Sequence, residues 1–207
     1  PIPPYLPDTA VAKRDVRQVY SNIVAMDEQV GQILEELEQD GLLESTVIFW
    51  YSDHGGPLPR QKRLLYDAGL QVPMIIRYPD KWRAGELDDQ LISFVDFKST
   101  ALSLAGIEPP EYVDGRAFAG KFQSSESRLY VHAAADRFDR QYDTIRAVRD
   151  DRFKYLRNYH PEQGYYLPLT YREQMPIMQE LLRLRDQNGL TEAQSQWFRE
   201  SKPSEEL

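Results

Sequence analysis

The run of residues from Thr46 to Ser52 constrains the fold more than any other part of this sequence. It consists mainly of β-branched and aromatic residues, and it lacks the alternation of polar and apolar side chains that marks a half-solvated strand. Such a run predicts a strand that is covered on both faces. A second run of the same character spans residues 72–78, with Pro73 near its start, where a strand tolerates proline.

Helical periodicity surrounds these two predicted strands. Residues 10–40 predict one long amphipathic helix, which Asp8 or Thr9 can cap and Gly41 can end. Its apolar residues recur at the three- and four-residue steps of a buried helical face: Val16, Tyr20, Ile23, Val30, Leu34 and Leu37. Phe94 to Leu104 predict a second helix. The order helix, strand, crossover, strand, helix predicts an α/β fold, with part of a mixed, mostly parallel sheet flanked by helices.

The pattern changes in the second half of the chain. Four segments predict its elements: strands at residues 128–134 and 144–159, and helices at residues 175–188 and 191–194. The aspartates at 150 and 151 interrupt the second strand segment as a hairpin turn would. We therefore predict two parts, the C-terminal part of an α/β domain at residues 1–117 and a smaller α+β subdomain with antiparallel strands at residues 118–207.

Composition excludes several classes of function. The formal net charge of -8 over 207 residues argues against a general nucleic-acid-binding protein, which would carry a basic face. No stretch approaches the ~18 apolar residues of a membrane span, and no signal peptide is recognisable. The sequence contains no cysteine, which excludes thiol catalysis and disulfides within it. It opens Pro-Ile-Pro-Pro without an initiator methionine, so we expect a segment of a longer polypeptide.

Asp53 and His54 directly follow the first predicted strand, at the strand end where ligands gather in open α/β sheets. A carboxylate combined with an imidazole suits Mn²⁺, Zn²⁺ or a tolerant Ca²⁺ site better than Mg²⁺. Gly55 and Gly56 allow the backbone to turn and to approach a ligand closely. The pattern is equally consistent with half of a metal site and with a polar turn after a strand.

A basic cluster follows this pair. Lys62 can pair with a phosphoryl or sulfuryl oxygen, and Arg60 can do the same with its planar guanidinium. The alternative is a solvated basic loop, which is the commoner fate of such residues. A second charged segment, Asp136 to Asp143, predicts a solvated loop with local ion pairs, the alternative being a loop that reaches over a pocket and contacts a sugar.

The combined pattern resembles a known family. Ser52-Asp53-His54-Gly55, followed by Lys62-x-x-x-Tyr66-x-x-Gly69-x-x-Val72-Pro73, is similar to the sulfatases of the alkaline phosphatase superfamily. Pro57-Leu58-Pro59 is most like the heparan N-sulfatase branch. The resemblance extends over nearly the whole chain, through residues 26–34, 95–107, 114–116, 145–155 and 202–207.

The resemblance implies roles for individual residues. Asp53 would ligate a divalent cation and contact the nucleophile, and His54 takes the second ligand position, where many members have Asn. Ca²⁺ is the metal expected from the family, whereas His54 makes Mn²⁺ or another transition metal possible. Lys62 would bind the sulfate group and act in catalysis, with Arg60 as a further substrate-binding candidate. Phosphodiesterase-type members of the superfamily also carry an Asp-His pair, so a phosphodiesterase or phosphonate monoester hydrolase is the alternative.

The same resemblance implies what the chain lacks. Sulfatases use a formylglycine nucleophile made within a Cys/Ser-x-Pro-x-Arg motif, and this sequence contains no such motif. We therefore expect the C-terminal portion of a sulfatase that depends on its N-terminal portion and is inactive alone. The expected substrate is a small or oligosaccharide sulfate ester or N-sulfate, and the expected location is periplasmic, secreted or lysosomal. A non-catalytic fragment that kept the fold is a third hypothesis.

Overall fold

The computed structural model describes residues 2–207. The helices are α1 (Ala10–Gln39), α2 (Asp67–Leu70), α3 (Asp96–Leu104), α4 (Thr170–Glu173), α5 (Pro176–Asp186) and α6 (Glu192–Ser195). The strands are β1 (Ile48–Tyr51), β2 (Met74–Arg77), β3 (Val131–Phe138), β4 (Gln141–Arg149), β5 (Lys154–Asn158) and β6 (Glu205–Glu206). Among the helices within residues 2–207, none is long and apolar enough to cross a membrane.

The described chain forms two compact units, each assembled from separate segments. Unit one contains the residues up to Glu86 together with Ala135–Ile145 and Asn158–Ser204. Unit two contains Leu87–Ala134, Arg146–Arg157 and Glu205–Leu207. The predicted boundary between residues 117 and 118 stays a prediction.

The strands form two sheets. β1 pairs antiparallel with β2, in a register that runs from Ile48 opposite Arg77 to Tyr51 opposite Met74. The other sheet has the order β3-β4-β5-β6, with β5 and β6 antiparallel. Helices combined with these sheets confirm the predicted α/β class with a smaller antiparallel part.

The β1–β2 pair differs from the sequence expectation in two respects. It is antiparallel, although the connection from Ser52 to Pro73 is longer than the roughly dozen residues that a parallel crossover needs. It is also only partly covered within residues 2–207, since Ile75 is 63% exposed and Tyr51 44%. An unbroken apolar run therefore identified the strands but not their relative direction.

Helix α1 matches its predicted bounds within one residue. The Thr9 hydroxyl caps its start by accepting a hydrogen bond from the Ala12 amide at 3.3 Å. Of its residues only Ala12 is buried, whereas Tyr20 is 67% and Ile23 48% exposed. The predicted buried face is thus wrong for the middle of this helix among the described residues, because periodicity shows which face is apolar and not what covers it.

The core of unit one lies around helix α5, whose predicted position is confirmed. Ile177, Met178 and Leu181 are fully buried there and cluster with four other buried apolar residues: Leu6, Ala12, Leu58 and Trp197. The carboxylate of Asp15 on α1 accepts a hydrogen bond from the Ile177 amide at 2.8 Å, at the N-terminal end of α5, where negative charge is favourable.

The predicted capping box at the start of α6 is confirmed. The Thr191 amide donates to the Gln194 side-chain oxygen at 3.0 Å, and the Thr191 side chain in turn accepts from the Gln194 backbone. Gln194 also donates to the Leu6 carbonyl at 3.1 Å, which ties this short helix to the N-terminal segment. A local sequence motif therefore also carries a tertiary contact.

Unit two is organised around the buried carboxylate of Asp96 at the start of α3. Asp96 is only 2% exposed and accepts hydrogen bonds from the amides of Ser93 and Arg116, both at 2.9 Å. It also forms an ion pair with the guanidinium of Arg128. The carboxylate therefore ties together three segments of unit two that are distant in sequence.

The turn between β4 and β5 lies where the sequence predicts it. The Asp150 carboxylate accepts hydrogen bonds from the amides of Phe153 at 2.5 Å and Arg152 at 2.8 Å. These two bonds, with that from Phe153 as the larger cause, hold the pKa of Asp150 below its usual range. An aspartate that bonds the next amides in this way closes a tight turn.

The charged segment from Asp136 to Asp143 is not the loop that the sequence predicts. β3 continues to Phe138 and β4 begins at Gln141, so only two residues form the turn, and Asp139 there has φ 54°. Asp143 lies within β4 and forms an ion pair with Lys202, their side chains being 4% and 1% exposed. The prediction of a solvated segment is therefore wrong for Asp143, which is paired in the interior with a residue far along the chain.

Candidate active-site loop

The candidate metal ligands lie in the bend that follows β1. The Ser52 hydroxyl donates to the His54 carbonyl at 2.6 Å and closes this bend. Nε2 of His54 lies 3.5 Å from Oδ1 of Asp53, and their side chains are 38% and 82% exposed. The structure therefore brings the two predicted ligands together on an accessible surface.

The His54 ring is oriented by the backbone of the next residue. Nδ1 lies 2.7 Å from the carbonyl oxygen of Gly55. Because a carbonyl can only accept a hydrogen bond, this contact favours the tautomer with the proton on Nδ1, in which the Nε2 lone pair is available. Histidines that bind metals are commonly held in this way, with one nitrogen donating to a backbone carbonyl and the other facing the metal.

The spacing of the two donors fits a shared cation. Ligands at 2.0–2.6 Å from one ion lie about 3–3.5 Å apart, and the observed Oδ1–Nε2 separation of 3.5 Å is at the end of that range. Within residues 2–207, no group of three or more His, Cys, Asp or Glu side chains gathers as a metal site would require. Asp53 and His54 therefore have the spacing of two ligands of one cation, and the metal site stays a prediction.

Backbone hydrogen bonds fold the following loop onto itself. The Gly55 amide donates to the Gly69 carbonyl at 2.9 Å, and the Lys62 amide donates to the Gly56 carbonyl at 3.0 Å. The Gln61 side chain accepts from the Leu58 amide at 3.2 Å inside this loop. Lys62 is thereby held by its backbone beside the segment that carries the Asp-His pair.

Two glycines make this arrangement possible. A Cβ atom on Gly55 would lie 1.8 Å from the Ala68 carbonyl oxygen, and one on Gly69 would lie 2.2 Å from the Leu64 carbonyl oxygen. Gly55 was expected to permit a close approach, and the approach is to the backbone of the same loop.

Replacing Gly55 by alanine is therefore expected to lower the free energy of unfolding by about 1–3 kcal/mol, because rigid backbone must move to make room. Gly31→Ala on α1 is the matched control, since nothing lies within 4 Å of an added Cβ there. Alanine is favoured over glycine in helices, so this control is expected to stabilise by about 0.5–1 kcal/mol. Urea unfolding of the full-length protein measures both, and equal effects would contradict the proposed packing.

Lys62 and Arg63 line a recess of about 490 Å³ together with residues from two other parts of unit one. The other lining residues are Asp139, Thr170, Tyr171 and Gln174. Nζ of Lys62 lies 5.9 Å from the centre of the Tyr171 ring, and Cζ of Arg63 lies 5.2 Å from it. Nη1 of Arg63 also lies 2.8 Å from Oδ1 of Asp139.

The backbone on both sides of Lys62 is strained. Arg60 has φ 66° and Arg63 has φ 74°, in the left-handed region that favours glycine. Such a conformation costs of the order of 1–3 kcal/mol per residue and persists only where surrounding contacts enforce it. The loop contacts described above supply that enforcement, and strained residues of this kind cluster at functional sites.

Arg60 does not line the recess. Its Nη1 donates to the Ala193 carbonyl at 3.4 Å, and its guanidinium lies 5.0 Å from the centre of the Tyr5 ring. These contacts join the loop to the N-terminal segment and to α6. The substrate-binding role of Arg60 stays a prediction.

Sequence reasoning did not assign the other residues of the recess: Arg63, Asp139, Thr170, Tyr171 and Gln174. The charged segment from residue 136 to 143 was one available signal, since contact with a sugar was among its interpretations. Residues 170–174 carry no comparable motif. Their place in the recess follows from the packing of α4 against the remainder of unit one.

Comparison with known proteins identifies relatives of the whole chain. The family model described as "Sulfatase" matches residues 3–107, and the model described as "N-sulphoglucosamine sulphohydrolase, C-terminal" matches residues 60–197. An ulvan-active sulfatase from Formosa agariphila is 63% identical over 206 residues, which are 100% of this chain and 34% of that protein. The human N-sulphoglucosamine sulphohydrolase is 31% identical over 114 residues, which are 54% of this chain and 22% of that protein.

Solved structures share the fold. The YidJ protein of Bacteroides fragilis superimposes with a TM-score of 0.63 at 25% identity, over 89% of this chain and 43% of that one. A protein solved with its substrate D-glucosamine-2-N,6-O-disulfate superimposes with a TM-score of 0.57 at 23% identity, over 84% of this chain and 38% of that one. The chain thus spans about a third of the length of the ulvan-active relative. Because the sulfatase model matches about half of its residues and the sulphohydrolase model most of the rest, the chain belongs to the sulfatase family, as the Asp-His and lysine motif predicts.

Proposed function

We propose that this chain supplies part of the active site of a metal-dependent hydrolase that cleaves sulfate esters or N-sulfates of a sulfated sugar. The observation that carries the proposal is the pairing of Asp53 with His54 at ligand spacing, in a loop that also holds Lys62. The names of the relatives support the substrate class, since they are sulfatases acting on ulvan and on N-sulphoglucosamine.

Each residue of the loop would have a separate role in such a site. Asp53 and His54 would hold a divalent cation, with Ca²⁺ expected from the family and Mn²⁺ or another transition metal favoured by the imidazole. A bound cation there would polarise a sulfuryl oxygen as a Lewis acid. Lys62 would bind the sulfate through its ammonium and offset the negative charge on its oxygens. The bond to sulfur that breaks is that of the alcohol or amine, which would leave with a proton, and the family's formylglycine nucleophile, which would form the new bond to sulfur, would come from outside these residues. In the net reaction one water is consumed, and inorganic sulfate and the free alcohol or amine are released.

Removal of one metal ligand is expected to lower the affinity of the protein for the metal. Asp53→Asn removes the anionic oxygen while keeping the shape of the side chain, so we expect metal affinity to fall at least about tenfold. His54→Asn, which restores the residue common in the family, should move the preference from Mn²⁺ towards Ca²⁺. Asp89→Asn is the control, because Asp89 is exposed and lies outside the loop. Calorimetric titration of the metal-free full-length protein measures each affinity, and equal affinities for all variants would contradict the assignment.

The reaction itself is tested by the product. The full-length protein, incubated with metal and ulvan oligosaccharides or N-sulphoglucosamine, is expected to release inorganic sulfate, measured by ion chromatography. Turnover of phosphodiesters or phosphonate monoesters without any sulfate release would contradict the proposal and support the alternative hydrolase. Absence of both reactions would support the non-catalytic hypothesis. The extracytoplasmic location expected from the family stays a prediction.

A further inference from the structure

We propose that the recess beside Lys62 is a saccharide subsite, in which Tyr171, Gln174 and Asp139 contact the sugar that carries the sulfate. This assignment rests on the proposed function, because it takes Lys62 as the sulfate-binding residue. It adds a substrate-recognition role for the tip of the β3–β4 hairpin and for α4.

The size and lining of the recess suit a sugar. Its volume of about 490 Å³ lies within the ~300–1,000 Å³ of small-molecule sites. The Thr170 hydroxyl and the Gln174 amide both donate and accept hydrogen bonds, and the Asp139 carboxylate accepts them. A sugar presents hydroxyl groups in all directions, so such a mixture complements it better than an apolar lining would.

The charged residues of the recess leave one cation available to bind a sulfate group. Arg63 and Asp139 form an ion pair at 2.8 Å, so their charges largely offset one another. Among the described residues, no carboxylate lies within ion-pair distance of Lys62, whose charge therefore remains available to an anion. The recess thus combines one cation for the sulfate with polar groups for the hydroxyls of the same molecule.

Tyr171 forms the aromatic wall of the recess. Tyr171 is 37% exposed, and both cations lie within 6 Å of its ring centre, at 5.9 Å for Lys62 and 5.2 Å for Arg63. Cations near the ring hold its position through the negative charge of the π face. We assign to this partly exposed ring a packing contact with the C–H groups of a sugar, which carry a slight positive charge.

The hairpin tip is built to present Asp139 at this place. Asp139 and Arg63 both adopt left-handed backbone conformations, with φ 54° and 74°, and their ion pair connects the two strained turns. Contact with a sugar was one interpretation of this charged segment from sequence, and its position beside Lys62 favours that interpretation for Asp139.

The test compares two substrates in the full-length protein. One is nitrophenyl sulfate, which carries no sugar, and the other is the sulfated sugar from which the wild type releases sulfate. For Tyr171→Ala and Gln174→Ala, we expect kcat/KM for the sugar relative to nitrophenyl sulfate to fall at least about tenfold, mainly through KM. Tyr171→Phe keeps the ring and is expected to retain most of this ratio. Tyr112→Ala is the matched control, because Tyr112 is exposed, lies beside Lys98 at 5.5 Å and does not line the recess.

Each outcome decides between the two proposals. If the wild type cleaves both substrates and the ratio is unchanged in Tyr171→Ala and Gln174→Ala, the subsite is overturned while the sulfatase function stands. Cleavage of nitrophenyl sulfate but of no sulfated sugar also overturns the subsite. If the wild type releases sulfate from neither substrate, the proposed function fails, and the subsite fails with it. If Tyr171→Ala loses both activities because it does not fold, Gln174→Ala at an exposed position supplies the deciding ratio.

Discussion

Lys62→Ala in the full-length protein is expected to lower kcat/KM for a sulfated sugar by about 10²–10³-fold, the range for loss of one group that stabilises charge in a transition state. The reason is that Lys62 brings a positive charge into the recess, where the Asp139 carboxylate is paired with Arg63 and not with Lys62. Its backbone is also held to Gly56 at 3.0 Å, so a neighbouring side chain cannot readily move into its place. Steady-state release of inorganic sulfate measures the effect.

Two variants separate the role of the charge from that of the position. Lys62→Arg keeps the charge but spreads it over a planar fork, so we expect activity between those of the wild type and Lys62→Ala. Lys98→Ala is the matched control, since Lys98 also lies near a tyrosine ring, at 5.5 Å, and does not line the recess. If Lys62→Ala were as active as Lys98→Ala, Lys62 would not be the sulfate-binding residue.

Lys202→Ala is expected to lower the free energy of unfolding by about 3–5 kcal/mol, the cost of removing one partner of a buried ion pair. Lys202 and Asp143 have side chains that are 1% and 4% exposed. Oδ1 of Asp143 has no hydrogen-bond donor among the described residues, so Lys202 is what compensates this carboxylate. Without Lys202, the Asp143 carboxylate would remain in the interior without the counter-charge that now offsets it. Urea unfolding of the full-length protein measures the loss.

A double substitution tests whether the uncompensated charge is the cause. Lys202→Met combined with Asp143→Leu removes both charges and replaces them with apolar side chains of the same branching pattern, so stability is expected to return most of the way to that of the wild type. Lys13→Ala is the control for an exposed pair, because Lys13 and Asp8 are 59% and 76% exposed, and it should cost at most about 1 kcal/mol. A loss for Lys202→Ala no larger than for Lys13→Ala would contradict the account.

Elements that depend on local rules could be predicted from the sequence. Helix α1 begins at Ala10, directly after its predicted cap Thr9, and the capping box of Thr191 and Gln194 forms as expected. The turn at Asp150 lies where a carboxylate can bond the next amides. These features involve residues at most a few positions apart, so a short stretch of sequence is enough to predict their interactions.

Features that depend on distant partners could not be predicted. The β1–β2 pair is antiparallel although its apolar runs suggested a mostly parallel sheet, because a run of apolar residues carries no information on strand direction. Asp143 belongs to a charged segment that predicts a solvated loop, and it is buried because its partner Lys202 lies 59 residues further along the chain. A local sequence pattern cannot predict a partner that lies so far along the chain.

The sequence by itself determined the family, because Asp53, His54 and Lys62 lie within ten positions of one another in a recognisable spacing. Their roles as site residues stay a prediction. Tertiary structure alone decided what surrounds Lys62. Arg63 and Asp139 are 76 positions apart, and Tyr171 comes from a third segment, yet all three line one recess. The physical reason is that the chemistry of a motif is carried by neighbouring residues, whereas the shape of a binding recess depends on how separate segments pack together.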